Sequence, residues 1–144
     1  MKAINPYLNF KGNTEEVFDF YRSVFGGEFR TVVRYRDTPE ANRVVEAERD
    51  KLMHIALPVG KDSVLMATDM LESMGNHVTQ GNNFCISIFT ESREETERIY
   101  EGLSAGGKIL SPLADTFWGD YFGRFKDKYG VSWMVNFPIR GNHQ

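Results

Sequence analysis

The sequence predicts an α+β fold built from two βαβββ repeats. Two amphipathic helices each end at a Gly-Gly pair, and each is preceded by one strand-like segment and followed by three. The element order therefore repeats, although the residues do not. The chain has 144 residues, which fits one ordinary domain. Because each half, at about 70 residues, is near the lower limit for an independent core, we expect one domain whose repeats share a core.

The first repeat is predicted at about residues 1–70. Asn13 indicates the start of its helix, and Gly26 indicates the end. Between them, apolar residues recur at helical spacing, namely Val17, Phe20, Tyr21, Val24 and Phe25. The strands of this repeat are expected at 4–10, 28–35, 52–58 and 63–69.

The second repeat is predicted at about residues 83–138, after a linker at 71–82. Ser92 and Glu95 form a capping-box pattern at the start of its helix, and Gly106 ends that helix. Its strands are expected at 83–90, 108–110, 118–125 and 131–137. The first repeat is longer because of a charged segment at 37–51. We interpret that segment as a loop, in which Val44 and Val45 form a small anchor or an extra strand.

Composition excludes several classes of protein. The 17 basic and 20 acidic residues give a net charge of −3, and the bases are scattered, so nucleic-acid binding is not expected. No apolar run approaches the roughly 18 to 20 residues of a membrane span, and the N-terminus lacks the pattern of a signal peptide. We therefore expect a cytoplasmic protein without membrane partners. The single cysteine, Cys85, excludes an intramolecular disulfide and a cysteine-based zinc site.

Several segments carry a resemblance to a known family. They are Asn5–Phe10, Phe18–Gly27, Met53–His54 with Leu65–Asp69, Phe117–Arg124 and Asp127–Met134. Together with the repeated βαβββ unit, they resemble the vicinal oxygen chelate superfamily, which includes glyoxalase I, bleomycin-resistance proteins and extradiol dioxygenases. The closer resemblance is to its PhnB-like branch, also labelled 3-demethylubiquinone methyltransferase-like. No glycine-rich cofactor loop follows a strand here, so the residues do not support a methyltransferase.

The resemblance implies a glyoxalase-like fold of two curved mixed sheets, each half-wrapping a cavity that receives a small molecule. It also implies a homodimer, with sites between the halves of one chain or between chains. Metal-dependent members take His or Glu ligands from the first and last strands of each repeat. The matching positions here are Asn5 or Tyr7, Met66, Phe84 or Cys85, and Met134. Because none is a His or a carboxylate, no metal and no other cofactor is predicted, and a divalent ion is the less favoured alternative.

Two candidate sites follow from the remaining residues. His54 and Asp69 have the residue types of a general base and the group that orients it, although an ordinary strand histidine and a strand-end aspartate fit the pattern too. Trp118 is suited to stack on a flat or sugar-like ligand, with Asp120 as a hydrogen-bond acceptor; packing at a core edge or dimer interface is the alternative. The predicted ligand pocket comprises Tyr7, Met66, Trp118, Asp120, Trp133 and Met134.

Three functions remain open at this point. The first is a small-molecule-binding protein of the glyoxalase and bleomycin-resistance kind, without a bound metal. The second is a lyase- or isomerase-type enzyme that uses a metal or His54. The third is a structural or interaction homodimer whose cavity is filled by side chains. The poor metal ligands favour the first and third.

Overall fold

The computed structural model describes residues 1–139 and divides the chain into two compact units. Unit 1 is Met1–Thr79, and unit 2 begins at Gln80. The boundary falls inside the predicted linker, 71–82. Each unit contains one helix and one four-stranded mixed sheet, which we call sheet 1 in unit 1 and sheet 2 in unit 2. The two sheets have the same strand order. The predicted α+β class and the βαβββ repeat are confirmed.

Unit 1 packs helix α1 on one face of its sheet. The elements are β1 (Tyr7–Phe10), α1 (Thr14–Phe25), β2 (Thr31–Arg34), β3 (Leu52–Val59) and β4 (Ser63–Asp69). The sheet order is β1-β4-β3-β2, with β1 parallel to β4 and the other pairs antiparallel. The helix stripe and the strands bury a common apolar set: Leu8, Phe10, Val17, Phe18, Tyr21, Val24, Ile55, Leu57, Leu65 and Ala67.

Unit 2 repeats this arrangement with helix α2. Its elements are β5 (Ile86–Phe89), α2 (Arg93–Ser104), β6 (Lys108–Asp115), β7 (Asp120–Lys126) and β8 (Ser132–Pro138). The sheet order is β5-β8-β7-β6, and β5 runs parallel to β8. The helix contacts β6, β7 and β8, and the buried apolar side chains are Ile99, Leu103, Phe125, Trp133 and Val135.

Both Gly-Gly pairs follow their helices with a glycine at positive φ, Gly26 at 80° and Gly106 at 76°. Gly26 adopts φ 80°, a conformation that L side chains rarely adopt, while its N–H donates to the Arg22 carbonyl. Gly107 has no room for a side chain, since a Cβ would lie 2.2 Å from the Lys126 carbonyl oxygen. Glycine is therefore required at both ends by the dihedral angle, and at the second end also by the close approach of β7.

Three of the differences from the sequence prediction have a clear physical basis. The first strand begins at Tyr7 rather than Ile4, whose side chain is 85% exposed. Strand β6 continues past Pro112 to Asp115, which is permitted because β6 lies at the edge of its sheet, where a missing N–H is tolerated. The segment at 37–51 contains short 3-10 turns instead of an extra strand, and Val44, 3% exposed, is the predicted anchor. Within residues 1–139, neither helix is long and apolar enough to cross a membrane.

Candidate functional site

Each sheet has one face covered by its helix and one opposite face, which we call the helix-free face. In unit 1 the strand register brings Tyr7 beside Met66, and Met66 beside Ala56. Because side chains alternate along a strand, His54, two residues from Ala56, shares this face with Tyr7 and Met66. Three of the sequence-predicted residues thus lie together on the helix-free face of sheet 1.

The side chain of His54 contacts Tyr7. The Tyr7 hydroxyl lies 3.1 Å from His54 Nδ1, and the two rings stack with centroids 5.7 Å apart. Burial, and after it the nearby Tyr35, raises the pKa of the Tyr7 hydroxyl above its ordinary value of 10.0. The phenol is therefore protonated near neutral pH and can either donate to Nδ1 or accept from it, depending on the imidazole tautomer. In the tautomer with its hydrogen on Nε2, the phenol donates to Nδ1.

Asp69 has a different role from the one predicted for it. Its Oδ1 accepts hydrogen bonds from the Thr14 N–H at 3.0 Å and the Thr14 hydroxyl at 2.6 Å, and its Oδ2 accepts from the Leu52 N–H at 2.8 Å. Asp69 is 1% exposed and points to the helix side of the sheet. The structure corrects the His54–Asp69 pairing, because this carboxylate anchors the start of α1 and Tyr7 is the partner of His54.

In unit 2 the helix-free face carries Met134 but not Trp133. Met134 lies in register with Ser87 on β5 and Arg124 on β7. Trp133, its neighbour on the strand, points to the helix side and is 1% exposed. The Trp133 Nε1–H donates to Asp127 Oδ2 at 2.9 Å. The prediction of Trp133 as a pocket residue is corrected, since consecutive strand residues cannot share one face.

Trp118 and Asp120 contact each other at the end of β7. The Trp118 Nε1–H donates to Asp120 Oδ2 at 3.0 Å. Asp120 is 7% exposed, whereas Trp118 is 50% exposed and its ring packs edge-on against Phe117 and Phe122. The hydrogen bond to the carboxylate thus holds the indole ring in place. The indole and the neighbouring phenyl rings together form an aromatic surface. This is the arrangement that stacking on a flat ligand requires.

The residues at the family's metal-ligand positions do not fit a divalent metal. Unit 1 offers Tyr7 beside Met66, and unit 2 offers Ser87 beside Met134. Phe84 and Cys85, the candidate positions in the second repeat, precede β5. The β5 residue in register with Met134 is Ser87 instead. A thioether is a poor ligand for Zn, Ni or Fe(II), and a neutral hydroxyl adds no charge. Within residues 1–139, no group of three His, Cys, Asp or Glu side chains is placed to hold a metal ion.

The clefts of unit 1 lie away from its helix-free face. One of about 460 Å³ is lined by Gly12, Asn13, Glu15, Glu16 and Asp19. Another of about 260 Å³ is lined by Gly12, Glu15, Arg34, Ala47, Asp50, Lys51, Leu52 and Asp69. In the second cleft, Arg34 donates to Glu15 at 2.7 and 3.1 Å, and that hydrogen bond is the main cause of the lowered pKa of Glu15. These charges are paired with each other, so this cleft has a structural explanation.

Sequence reasoning missed four residues on the helix-free face of sheet 2. They are Ser87, Phe122, Arg124 and Asn136. The Asn136 amide donates to the Ser87 hydroxyl oxygen at 3.0 Å, which joins β8 to β5 on this face. The signal for Phe122 and Arg124 was available, because they follow Asp120 at intervals of two along one strand. Ser87 was harder to identify, because the sequence predicts that β5 begins at residue 83, three residues before its observed start at Ile86.

Similar proteins agree with the fold and with each other. A crystal structure of protein PA1353 from Pseudomonas aeruginosa is 37% identical and has a TM-score of 0.83, with 94% of this chain and 97% of that chain covered. A PhnB protein from Bacillus cereus is 26% identical with a TM-score of 0.74, over 94% and 98% of the two chains. Protein YjdN from Escherichia coli is 24% identical over 92% of this chain and 93% of its own length.

The family model described as the glyoxalase/bleomycin resistance protein/dioxygenase superfamily matches residues 3–135. This range includes all of the first seven strands, both helices and the first four residues of β8, 132–135. Together with the PhnB relative, it confirms the resemblance noted in the sequence. The chain belongs to the glyoxalase/bleomycin resistance protein/dioxygenase superfamily and to its PhnB-like branch.

Proposed function

We propose that this protein binds a small amphipathic molecule on its helix-free faces, without a resident metal. The observation that carries the proposal is the pair of matched methionines. Met66 and Met134 lie on the corresponding strands β4 and β8, each beside the first strand of its repeat and on the helix-free face, where metal-dependent members of the superfamily need a ligand of higher affinity. Methionine is apolar and flexible, so it suits a surface that adapts to a ligand.

The aromatic residues of unit 2 support the same function. Trp118 is half exposed and is held by Asp120, and Phe117 and Phe122 adjoin it. A soluble domain that exposes several large aromatic side chains together commonly uses them in binding. A ligand that stacks on Trp118 while its apolar part contacts Met134 would satisfy this surface.

The test is calorimetric titration with aromatic probes, combined with metal analysis. We expect 1-naphthalenemethanol and 1-naphthoate to bind and to raise the thermal midpoint. A Trp118→Ala change should abolish that binding. A matched control is Phe84→Ala, which removes another exposed aromatic residue of unit 2 outside its strands. Absence of binding by both probes would favour the alternative of a structural homodimer whose cavity is filled by side chains.

A second candidate function is His54-dependent lyase or isomerase chemistry, favoured by the Tyr7–His54 contact. A phenol hydrogen-bonded to Nδ1 holds the imidazole ring in place, as a base used in proton abstraction requires. If such an activity is found, His54→Gln should lower kcat, whereas Tyr7→Phe should lower it less because the imidazole remains. An unchanged rate in His54→Gln removes this candidate. The homodimer and the cytoplasmic location remain predictions, the first testable by light scattering of the purified chain.

A further inference from the structure

The helix-free face of sheet 2 contains a cation whose buried donor has no acceptor. Arg124 is in register with Met134 on β8 and with Ser111 on β6, and Met134 is in register with Ser87 on β5. Its Nε is buried, and it has no hydrogen-bond partner within residues 1–139. A buried donor of a charged group that is left unsatisfied is costly to the folded state. A bound ion, ligand or water molecule that supplies the missing acceptor explains such an exception.

Other arginines of the chain show what a satisfied guanidinium looks like here. Arg34 binds Glu15 at 2.7 Å, Arg36 binds Asp50 at 2.8 Å, and Arg93 binds Asp115 at 2.9 Å. Arg49, which is half-buried like Arg124, donates to the Ala41 and Val44 carbonyls. Each of these has an oxygen acceptor within its own unit. Arg124 therefore has the geometry of a site that an oxyanion completes.

The charges around Arg124 favour an anion. Lys126, two residues further along β7, shares its face, and Lys108 on β6 is in register with Lys126. The acidic residue of this face on β7 is Asp120, which accepts a hydrogen bond from Trp118 at the opposite end of the strand. The face is therefore positive at one end and aromatic at the other. Arg124 lies between them, about 7 Å along the strand from Phe122.

We propose that Arg124 binds the oxyanion group of a ligand whose aromatic or apolar body lies on Phe122 and Trp118. The class of ligand is a small aromatic acid, with a carboxylate or a phosphate as the charged group. The guanidinium fork matches either of these with two charge-assisted hydrogen bonds, which a neutral hydroxyl cannot supply. Ser111, the register neighbour of Arg124 on β6, offers a hydroxyl group to the same anion. This proposal rests on the proposed small-molecule binding and specifies its ligand.

The test compares a charged and a neutral probe of the same shape. Calorimetric titrations use 1-naphthoate, 1-naphthyl phosphate and 1-naphthalenemethanol with the full chain and with Arg124→Met. We expect each anion to bind the wild-type protein about 10- to 100-fold more tightly than the alcohol. In Arg124→Met that difference should disappear, while the affinity for the alcohol changes less than about twofold. The relative strength of the two anions identifies which charged group the site prefers.

Two further variants keep the proposal open to contradiction. Arg98→Met removes one positive charge from α2 on the other side of the same unit, and it should leave naphthoate binding unchanged. Arg124→Lys keeps the charge without the fork, so its affinity for the anions should be intermediate. Because Arg124 leaves a buried donor unsatisfied, Arg124→Met should also keep a thermal midpoint at least as high as that of the wild type.

The outcomes separate this proposal from the function it rests on. If all three probes bind the wild type equally and Arg124→Met changes nothing, small-molecule binding stands and the role of Arg124 is contradicted. If none of the probes binds, both proposals are contradicted. If Arg98→Met weakens the anions as much as Arg124→Met does, the effect is one of net charge, and the assignment of Arg124 is overturned.

Discussion

The two units have the same strand order but anchor their helices differently. In unit 1, Asn13 stands at the cap position of α1 without a side-chain cap, and Asp69 from β4 binds the helix start instead. In unit 2, the Ser92 hydroxyl accepts from the Glu95 N–H at 3.0 Å, so α2 is capped by its own sequence neighbours. A repeat can therefore keep its topology while a local contact replaces a contact between residues 55 positions apart.

The ion pairs that join each helix to its sheet also differ. In unit 1 the acid is on the helix, where Glu15 of α1 binds Arg34 of β2. In unit 2 the base is on the helix, where Arg93 of α2 binds Asp115 of β6. An acid in the first helical turn is favourable to the helix dipole and a base is not. Glu15 therefore stabilises unit 1 through both the helix dipole and the ion pair, whereas Arg93 stabilises unit 2 through the ion pair alone.

The largest effect is expected from Asp69→Ala. Three donors at Thr14 and Leu52 would lose their acceptor inside the protein, at a cost of about 4 kcal/mol in the free energy of unfolding. Urea denaturation of the full chain measures this. Asp62→Ala, in the exposed turn between β3 and β4, is the matched control and should cost less than about 0.5 kcal/mol. Equal costs at the two sites would remove the proposed anchoring role.

The tryptophans of unit 2 are expected to separate stability from binding. Trp133→Phe loses the hydrogen bond to buried Asp127 and leaves a void, at a cost of about 3 kcal/mol. Trp118→Phe, at a half-exposed position, should cost less than about 1 kcal/mol. Thermal denaturation and naphthalenemethanol titration of both variants test the assignment. Weaker binding in Trp133→Phe than in Trp118→Phe would return Trp133 to the ligand surface.

A smaller effect tests the local cap directly. Ser92→Ala removes the acceptor for the Glu95 N–H and should destabilise the chain by about 1 kcal/mol. Asn13→Ala is the matched change at the other helix and should cost only a few tenths of a kcal/mol, because Asn13 makes no side-chain cap. Urea denaturation of both variants gives the comparison. A larger loss in Asn13→Ala would mean that Asp69 does not substitute for the cap.

The smallest effect is a pH dependence in unit 1. The hydrogen bond from Arg34 holds the pKa of Glu15 below its ordinary value of 4.5, so the stabilisation is present above that value and is lost as the pH falls through the lowered pKa. Because Glu15 is largely exposed, the free energy of unfolding of the wild type should exceed that of Glu15→Gln by less than about 1 kcal/mol near neutral pH. Unfolding at a series of pH values should show the advantage fading in acid. An advantage that persists there, or in the Arg34→Gln background, contradicts the pair.

The sequence predicted what depends on neighbours along the chain. The helix ends at Gly26 and Gly106, the side-chain cap at Ser92 and the turn at 60–62 are all local, and the structure confirms them. The placement of Met66 and Met134 on matching strands followed from the same repeat. Element order was therefore readable because each element is stabilised first by residues next to it.

The candidate site was predicted less well, because it depends on distant partners and on strand parity. Asp69 has the residue type of a catalytic group, and only the fold shows that Thr14 and Leu52 occupy its carboxylate. Trp133 and Met134 were placed on one surface although neighbouring strand residues face opposite ways. Arg124 belongs to one of the segments that resemble the family, but the sequence does not indicate a ligand group there, since a missing partner is visible only when every neighbour is in place.

The central claim is that the matched methionines mark a binding surface that works without a metal. The most direct measurement is metal analysis of the full chain after equilibration with Zn, Ni, Mn and Fe(II), each in turn, followed by dialysis. We predict a metal content well below one ion per chain, with naphthoate affinity unchanged by a chelator. One tightly held ion per chain whose removal abolishes naphthoate binding would contradict the account.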